Sequence, residues 1–265
     1  VYKRQMSTIR NRMTKLNGGT PISDGPFRNG SMYLTYTNEG MPIGAFWGYK
    51  TDGLIQTQEQ LNAVKRADFQ PNAELGDVLF VDTNGDGKLD SSDRCMIGNP
   101  IPDIIYGINM GMAWKGFDLN LQFGGTIGNQ IFNAMRYYTY FPNDITNKDR
   151  ALMNYWTPNN TNTDIPRLTA TDVNDNDRFS DMYVENGTYF RLRNAQLGYT
   201  LPASLTQRIK LQKVRFYVSG QNLFTISSYS GMDPEVGQSS SLSRGIDYGI
   251  YPQNISFTGG INVTF

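Results

Sequence analysis

The stretch that most constrains the fold is residues 104–124, where large apolar side chains alternate with small or polar ones. One face carries Tyr106, Ile108, Met110, Met112 and Trp114, followed by Phe117, Leu119, Leu121 and Phe123. A period of two over this length predicts two β-strands rather than helices, because successive side chains of a strand point to opposite faces. Lys115 and Gly116 between the two arms predict a tight hairpin turn.

The alternation alone leaves two architectures open. A soluble β-sandwich would place the apolar face in its core, whereas a membrane β-barrel would place it in lipid. Each arm runs for roughly 8–11 residues, close to the ~9–11 that a tilted strand needs to cross a bilayer. Trp114 ends its arm where an interfacial aromatic girdle would lie. Strand length therefore favours the barrel.

Composition excludes several classes of function. The 265-residue chain has a formal net charge of +0, so there is no electrostatic case for binding nucleic acid. It contains no His, which excludes Ser-His-Asp and Cys-His catalysis and His-based zinc sites. Its single cysteine, Cys95, excludes an internal disulfide. No phosphate loop or Rossmann fingerprint is present, and we expect that the chain is not an enzyme.

The rest of the chain alternates between strand patterns and polar segments. Strands are predicted within 31–36, 43–49, 189–200, 214–219 and 255–265, with a β-bulge near Arg193 and Asn194. Residues 56–67 predict a short surface helix. Residues 1–30 are weakly patterned, and we interpret them as a start and turn region. The polar segment 125–187 is longer than loops in compact soluble domains, whereas extracellular loops of outer-membrane barrels are routinely long.

Residues 82–93, with the sequence DTNGDGKLDSSD, match the spacing of an EF-hand calcium loop. The predicted ligands are the side chains of Asp82, Asn84, Asp86, Asp90 and Asp93 and the backbone carbonyl of Lys88. The last position holds Asp rather than the usual Glu, which makes bidentate closure weaker. The alternative is a solvated Asn/Gly/Asp turn without metal. In either case we expect a structural role, because calcium would stiffen the loop.

Three further groups are candidates for binding or catalysis. Arg191 and Arg193 lie on the predicted polar face of one strand, where they either contact a ligand or pair with acids of neighbouring strands. The aromatic run 136–141 either stacks on sugars or packs between loops. Asp175 and Asp177 resemble a glycosidase pair only in type, because an Asn/Asp-rich loop gives them no fixed separation.

Several stretches together make the chain resemble the SusC/RagA-type TonB-dependent outer-membrane transporters. The matching stretches are 42–53, 81–93, 97–100, 116–120, 155–160, 192–202, 217–224, 233–235 and 262–265. The resemblance spans about residues 40–265, and the stretches are specific as a set although each is weak alone.

The resemblance implies an all-β fold in which antiparallel strands of residues 31–265 form the C-terminal part of a transmembrane β-barrel. Such barrels have about 22 strands and a plugged lumen. Residues 51–103, 125–187 and 225–253 are then extracellular loops. Because the sequence begins at Val1 without Met, we expect a piece that starts mid-protein and lacks the plug and the TonB box.

The resemblance also implies what the whole protein does. It implies import of oligosaccharides, or peptides in some members, across the Gram-negative outer membrane. The implied partners are a SusD-like surface lipoprotein, outer-membrane lipid and a TonB complex that acts through the missing N-terminal part. The main alternative is a secreted, calcium-stabilised β-sandwich that binds glycans. Such a sandwich would need Phe257, Ile261, Val263 and Phe265 in its core.

Overall fold

The computed structural model describes residues 1–141, 147–237 and 240–265. The strands are β1 (Tyr2–Thr8), β2 (Ile22–Phe27), β3 (Met32–Thr37), β4 (Ala45–Gly48), β5 (Thr51–Leu54), β6 (Val78–Phe80), β7 (Cys95–Gly98), β8 (Ile104–Trp114), β9 (Phe117–Ile127), β10 (Gln130–Asn133), β11 (Val184–Asn186), β12 (Tyr189–Thr200), β13 (Lys213–Ser227), β14 (Ile246–Asp247) and β15 (Ser256–Thr264). The helices are α1 (Gln58–Arg66), α2 (Ala134–Tyr140) and α3 (Ala203–Thr206), with 3-10 turns at Ser91–Asp93, Arg150–Asn154, Asp181–Tyr183 and Gln207–Ile209.

The largest sheet has six antiparallel strands in the order β1-β8-β9-β12-β13-β15. At one end of this sheet, β8 and β9 are joined by a tight turn, and β12 and β13 by residues 201–212, which include α3. The hairpin between β8 and β9 turns at Lys115 and Gly116, whose φ angles are 46° and 88°. Two consecutive residues in the left-handed region define the turn type that matches the twist of a hairpin, which confirms the predicted turn. The sheet is open, with β1 and β15 as its edges in the part of the chain that the structure describes.

The strand register places the apolar and the polar side chains on opposite faces of this sheet. Met112, Leu119, Leu197 and Val218 lie directly opposite one another across β8, β9, β12 and β13. Directly opposed residues of antiparallel strands share a face, so the apolar side chains form one continuous surface. Many of them are exposed, including Phe257 and Ile261 of β15. This exposure does not favour the β-sandwich alternative, which requires the same residues in a core.

Local irregularities and edges differ in how well the sequence predicts them. The register of β12 shifts between Leu192 and Asn194 relative to both of its neighbours, which confirms the predicted bulge.

The interpretation of residues 1–30 as a start and turn region is wrong for β1 and β2. β1 is exposed along its whole length and is held by backbone pairing of Tyr2 to Thr8 with Met110 to Ile104 of β8. A strand stabilised by a distant partner leaves no burial pattern in its own sequence.

The segments 51–103, 125–187 and 225–253, expected to be extracellular loops, hold short helices and strands of their own. The strands predicted within 31–36 and 43–49 are confirmed as β3 and β4. A four-stranded sheet has the order β2-β3-β4-β7, a three-stranded sheet the order β11-β10-β14, and β5 pairs with β6. We call the described residues of 22–101, 129–187 and 228–250 the loop assembly. It is joined to the end of the large sheet opposite the β8–β9 turn.

The hydrophobic cores of the described residues lie in the loop assembly and not in the large sheet. The main cluster consists of Phe27, Leu34, Phe46, Phe132, Ala134, Tyr137, Phe141, Phe179, Tyr183 and Ile246. A second cluster surrounds Phe80 and Trp156, and a third contains Ile55 and Leu61. The loop assembly is therefore packed around its own hydrophobic cores, whereas the large sheet presents one apolar and one polar face.

The predicted surface helix is confirmed as α1. Thr57 caps its N-terminus by accepting from the backbone N–H of Gln60, whose side chain in turn accepts from the backbone of Thr57. This reciprocal arrangement satisfies N–H groups that a free helix end leaves unpaired. Leu61 is its one buried residue, which anchors the helix to the third core cluster. Within the described ranges, no helix has the length and apolarity needed to cross a bilayer.

Candidate functional site

The candidate functional surface is the polar face of the large sheet together with the loop assembly above it. Asn120, Gln196, Ser219 and Thr258 lie opposite one another on this face, across β9, β12, β13 and β15. At the turn end, Arg215 donates from Nε and Nη2 to the two carboxylate oxygens of Asp118, at 2.8 and 2.5 Å. A bidentate pair of this kind fixes both side chains in one orientation.

At the other end of this face, Arg191 of β12 ties the sheet to the segment that follows β13. Its Nη2 lies 2.6 Å from Oδ1 of Asp233 and its Nη1 lies 2.8 Å from Oε2 of Glu235. Its Nε donates to the hydroxyl of Thr225. The side chains of Arg191 and Asp233 are only 2% and 5% exposed. This is a buried ion pair whose remaining hydrogen-bonding groups are satisfied.

Arg193 extends the same cluster into solvent. Its Nη2 lies 3.0 Å from Oε1 of Glu235 and 3.1 Å from the hydroxyl of Tyr189. The prediction that both arginines pair with acids is confirmed, but the prediction that the acids come from neighbouring strands is wrong. Asp233 and Glu235 come from a connecting segment, which crosses back over the polar face.

The carboxylate of Asp233 is held ionised in this cluster. Burial by itself would raise the pKa of Asp233, but the backbone N–H groups of Gln253 and Glu235 and the guanidinium of Arg191 outweigh it and lower that pKa below its ordinary value. Gln253 and Glu235 donate at 3.0 and 2.9 Å. The acid therefore fixes both ends of the segment 233–253 to the sheet.

The acidic loop is folded through its own side chains. Asp82 accepts from the backbone N–H groups of Gly85 and Gly87, at 2.6 and 2.8 Å. Asn84 accepts from the N–H of Asp86, and Asp86 accepts from the N–H of Lys88, both at 2.9 Å. The N–H of Gly87 is the main reason that the pKa of Asp82 lies below its ordinary value. These side-chain oxygens therefore point inward, toward the backbone of the loop.

The end of the acidic loop is closed by Asp93, which is fully buried. Its Oδ1 accepts from the N–H of Thr83 and its Oδ2 from the N–H of Asp90, both at 3.0 Å. Asp90 caps the following turn by accepting from Ser92, whose hydroxyl is the main cause of a lowered pKa of Asp90. Asp82 and Asp93, the first and last predicted ligands, therefore lie at the two ends of one closed loop.

A metal site requires several ligand side chains that converge on one point. Over residues 1–141, 147–237 and 240–265, no group of three or more His, Cys, Asp or Glu side chains is arranged to hold a metal ion. The oxygens of Asp82, Asp86 and Asp93 are engaged with N–H groups of the loop. Calcium binding at this loop stays a prediction.

The other candidates separate in the structure. Asp175 pairs with Arg178, whereas Asp177 pairs with Arg28, so the two carboxylates face different arginines and not a common cleft. In the aromatic run, Tyr137 and Phe141 are buried in the main core cluster. Packing between loops is therefore confirmed for these two rings.

A buried polar network in the loop assembly has no counterpart among the sequence predictions. Asp77 is fully buried and accepts from Nε of Arg167 at 2.6 Å and from the amide of Asn176 at 3.1 Å. The side-chain amide nitrogen of Gln70 donates to the backbone carbonyl of Val78 and to Oδ1 of Asn174. The partners lie about a hundred residues apart, so spacing gives no signal. The network holds the Asn/Asp-rich segment against β6.

Known proteins share this architecture. The solved RagAB peptide transporter superposes on the whole chain with a TM-score of 0.74 and 24% identity, and the chain covers 26% of that structure's chain. The RagAB peptide importer in its closed-closed state gives a TM-score of 0.73 and 25% identity, with 27% of that chain covered. The large open sheet and its loop assembly therefore have the fold of a segment of these transporter chains.

Sequence relatives identify the family, although no family model matches the chain. The chain is 37% identical to TonB-dependent receptor P3 of Formosa agariphila, over 98% of its own length and 26% of the receptor. It is 29% identical to TonB-dependent receptor SusC of Bacteroides thetaiotaomicron, over 74% of its own length and 18% of SusC. The chain belongs to the family of TonB-dependent receptors that includes SusC, and it spans about a quarter or less of these relatives. They are named as receptors, not as enzymes.

Proposed function

We propose that the chain is the C-terminal segment of a TonB-dependent importer of SusC/RagA type in the Gram-negative outer membrane. The observation that carries the proposal is the continuous, exposed apolar face across β8, β9, β12, β13 and β15, backed by a polar face. In this arrangement the apolar face contacts lipid and the polar face lines the lumen. Trp114, exposed at the β8–β9 turn, lies at the inner interface, and the loop assembly faces the medium.

The proposed cargo is an oligosaccharide, with a peptide as the other class, and the proposed partners are a SusD-like lipoprotein and a TonB complex. The relationship to the TonB-dependent receptor SusC supports the two proposed partners, and the fold shared with the RagAB peptide transporter supports the peptide class. The localisation test is fractionation of the complete receptor: recovery in the outer membrane, with a folded state that requires detergent, is expected. A detergent-free, monomeric folded state would overturn the barrel.

A pair of neighbouring substitutions tests which face contacts lipid. Val218→Arg places a charge on the apolar face of β13, where the side chain is 61% exposed. We expect it to destabilise the receptor in lipid by about 2–4 kcal/mol near the bilayer midplane. Ser219→Arg, on the polar face, is the matched control and is expected to have little effect. Folding in lipid vesicles, followed by the heat-dependent shift in gel mobility, measures both, and equal effects would contradict the proposed orientation.

We propose that the loop of residues 82–93 binds Ca²⁺ and that the ion stiffens the loop. The inward-pointing oxygens of Asp82, Asn84 and Asp86 support this, because they follow the spacing of a calcium loop. Calorimetry of the complete receptor is expected to give a calcium-dependent heat that Asp86→Ala abolishes. Asp52→Ala removes an exposed acid outside the loop and is the control. A wild type with no calcium-dependent heat would refute the site.

A further inference from the structure

A row of aromatic side chains crosses the apolar face of the large sheet, at the end where the β8–β9 turn lies. This aromatic row runs over β8, β9, β12 and β13 through the directly opposed residues Trp114, Phe117, Tyr199 and Phe216. The rings of Phe117 and Tyr199 lie 4.5 Å apart, and Trp114 is exposed. Aromatic rings collect at the boundary between hydrocarbon and headgroups. In the proposed orientation, the inner headgroup layer therefore begins just beyond this row.

The connection between β12 and β13 lies beyond the aromatic row and is positively charged. Residues 201–213 contain Arg208, Lys210 and Lys213 but no Asp or Glu. All three side chains are exposed, and none forms an ion pair with another described residue. Lys213 begins β13 three residues before Phe216, which is roughly 10 Å along the strand. Because barrel strands are tilted, this is a depth of roughly 7–8 Å, about the thickness of a headgroup layer.

The apolar face contains a groove over the same two strands and their neighbour β15. The groove has a volume of about 380 Å³. Its lining includes the small residues Ala195, Gly220 and Gly259 together with the larger Leu197 and Val218. A Cβ added at Gly259 would lie 3.9 Å from the nearest atom, so the groove is open at that position. The missing side-chain volume therefore leaves a depression in a surface that is otherwise covered by large apolar groups.

The cations and the groove lie within the length of one lipid molecule. Leu197 and Val218 are each two residues from the aromatic row, on the side away from the β8–β9 turn, so the groove begins at the edge of the hydrocarbon layer. The path from Lys213 to Val218 covers five residues, which is roughly 17 Å along the tilted strand. The acyl chains of one leaflet fill a layer of roughly 15 Å. A chain whose headgroup lies at the cations therefore reaches the groove.

We propose that this site holds one anionic phospholipid of the inner leaflet, with its phosphate on Arg208 and Lys210 and one acyl chain in the groove. Guanidinium and ammonium groups donate charge-assisted hydrogen bonds to phosphate oxygens. The connection has no acid that would pair with the ammonium of a zwitterionic headgroup, so an anionic headgroup is preferred. The groove is continuous with the face that contacts lipid. This inference rests on the proposed location in the outer membrane and adds a lipid held at one defined place.

The headgroup test uses the complete receptor in detergent and native mass spectrometry with two probes, dioleoyl phosphatidylglycerol and dioleoyl phosphatidylethanolamine. The wild type is expected to bind one phosphatidylglycerol more tightly than phosphatidylethanolamine. The double variant Arg208→Ala with Lys210→Ala is expected to bind phosphatidylglycerol about tenfold more weakly or worse, because each basic residue contributes about fivefold at an anionic lipid surface. Lys65→Ala with Arg66→Ala removes two adjacent exposed cations at the end of α1 and is the matched control.

The groove test fills the depression with a side chain. Gly259→Leu is expected to weaken phosphatidylglycerol binding about fivefold or more while the melting temperature stays unchanged, since the added side chain enters open space. Gly107→Leu is the matched control, because a Cβ at Gly107 also lies 3.9 Å from its nearest atom, a backbone carbonyl oxygen. Gly107 lies on the polar face of β8, opposite Gly124, and its substitution is expected to leave lipid affinity unchanged.

The outcomes separate the lipid site from the membrane location. Equal affinity of the wild type for the two lipids, or an unchanged affinity in the Arg208 and Lys210 double variant, overturns the phosphate site. Unchanged affinity in Gly259→Leu overturns the groove as the place of the acyl chain. Inorganic phosphate that binds as tightly as phosphatidylglycerol shows a simple anion site and overturns the lipid. A receptor that folds only in detergent yet shows no lipid preference overturns this inference alone, whereas a receptor that folds without detergent overturns the proposed function as well.

Discussion

Replacing Arg191 with alanine is expected to release the segment after β13 from the large sheet. The substitution leaves the carboxylate of Asp233 buried without its cation, and an uncompensated buried charge costs about 3–5 kcal/mol. Because Asp233 also receives the N–H of Gln253, the loss reaches the far end of the segment. Hydrogen exchange of the amides of residues 229–237 in the complete receptor should become about a hundredfold faster or more.

Arg193→Ala is the matched control for this effect. Arg193 lies two positions along the same strand and contacts the same acid, Glu235, but its side chain is 43% exposed. Solvent screens such a pair, so its loss is expected to cost at most about 1 kcal/mol. Equal hydrogen-exchange rates in Arg191→Ala and Arg193→Ala would contradict the expectation that the buried ion pair stabilises this segment more than the exposed one does.

The Arg191 cluster marks a boundary of what the sequence can predict. Alternation in β12 predicts that Arg191 and Arg193 lie on a polar face. The phase change beside them predicts a bulge near Arg193 and Asn194, which the register shift between Leu192 and Asn194 confirms. The acidic partners of the two arginines are 42 residues or more away, in a segment with no pattern of its own. Local periodicity predicts the face of a strand on which a side chain lies. It does not predict which distant segment of the chain packs against that face.

The same reasoning explains the difference between the two parts of the fold. The β8–β9 hairpin has eleven-residue strands and a left-handed turn, so its pattern is long enough to be unambiguous. The strands of the loop assembly that the sequence did not predict are short: β7 and β10 have four residues each. Four positions cannot separate alternation from chance, and the polar residues between them have the composition of loops. The cores assembled from such pieces are visible only in three dimensions.

Phe132→Ala is expected to loosen the loop assembly as a whole. Phe132 is fully buried in β10, and its ring centroid lies 5.5 Å from that of Phe27 and 4.9 Å from that of Phe179. These rings come from three separate segments, so one truncation opens a cavity between all of them. Truncation of a buried Phe costs about 3–5 kcal/mol. Hydrogen exchange should accelerate together in residues 22–37 and 179–186, while β8 and β9 keep their protection.

Tyr251→Ala is the matched control, since this ring is 89% exposed and its removal is expected to change stability by about 0.5 kcal/mol or less. The comparison decides whether the polar segments are loops or a folded body. If they are independent loops, Phe132→Ala accelerates exchange only near β10. If they share one core, segments far from Phe132 in sequence, such as β2 and β3, respond with it, because their protection depends on the same packed rings.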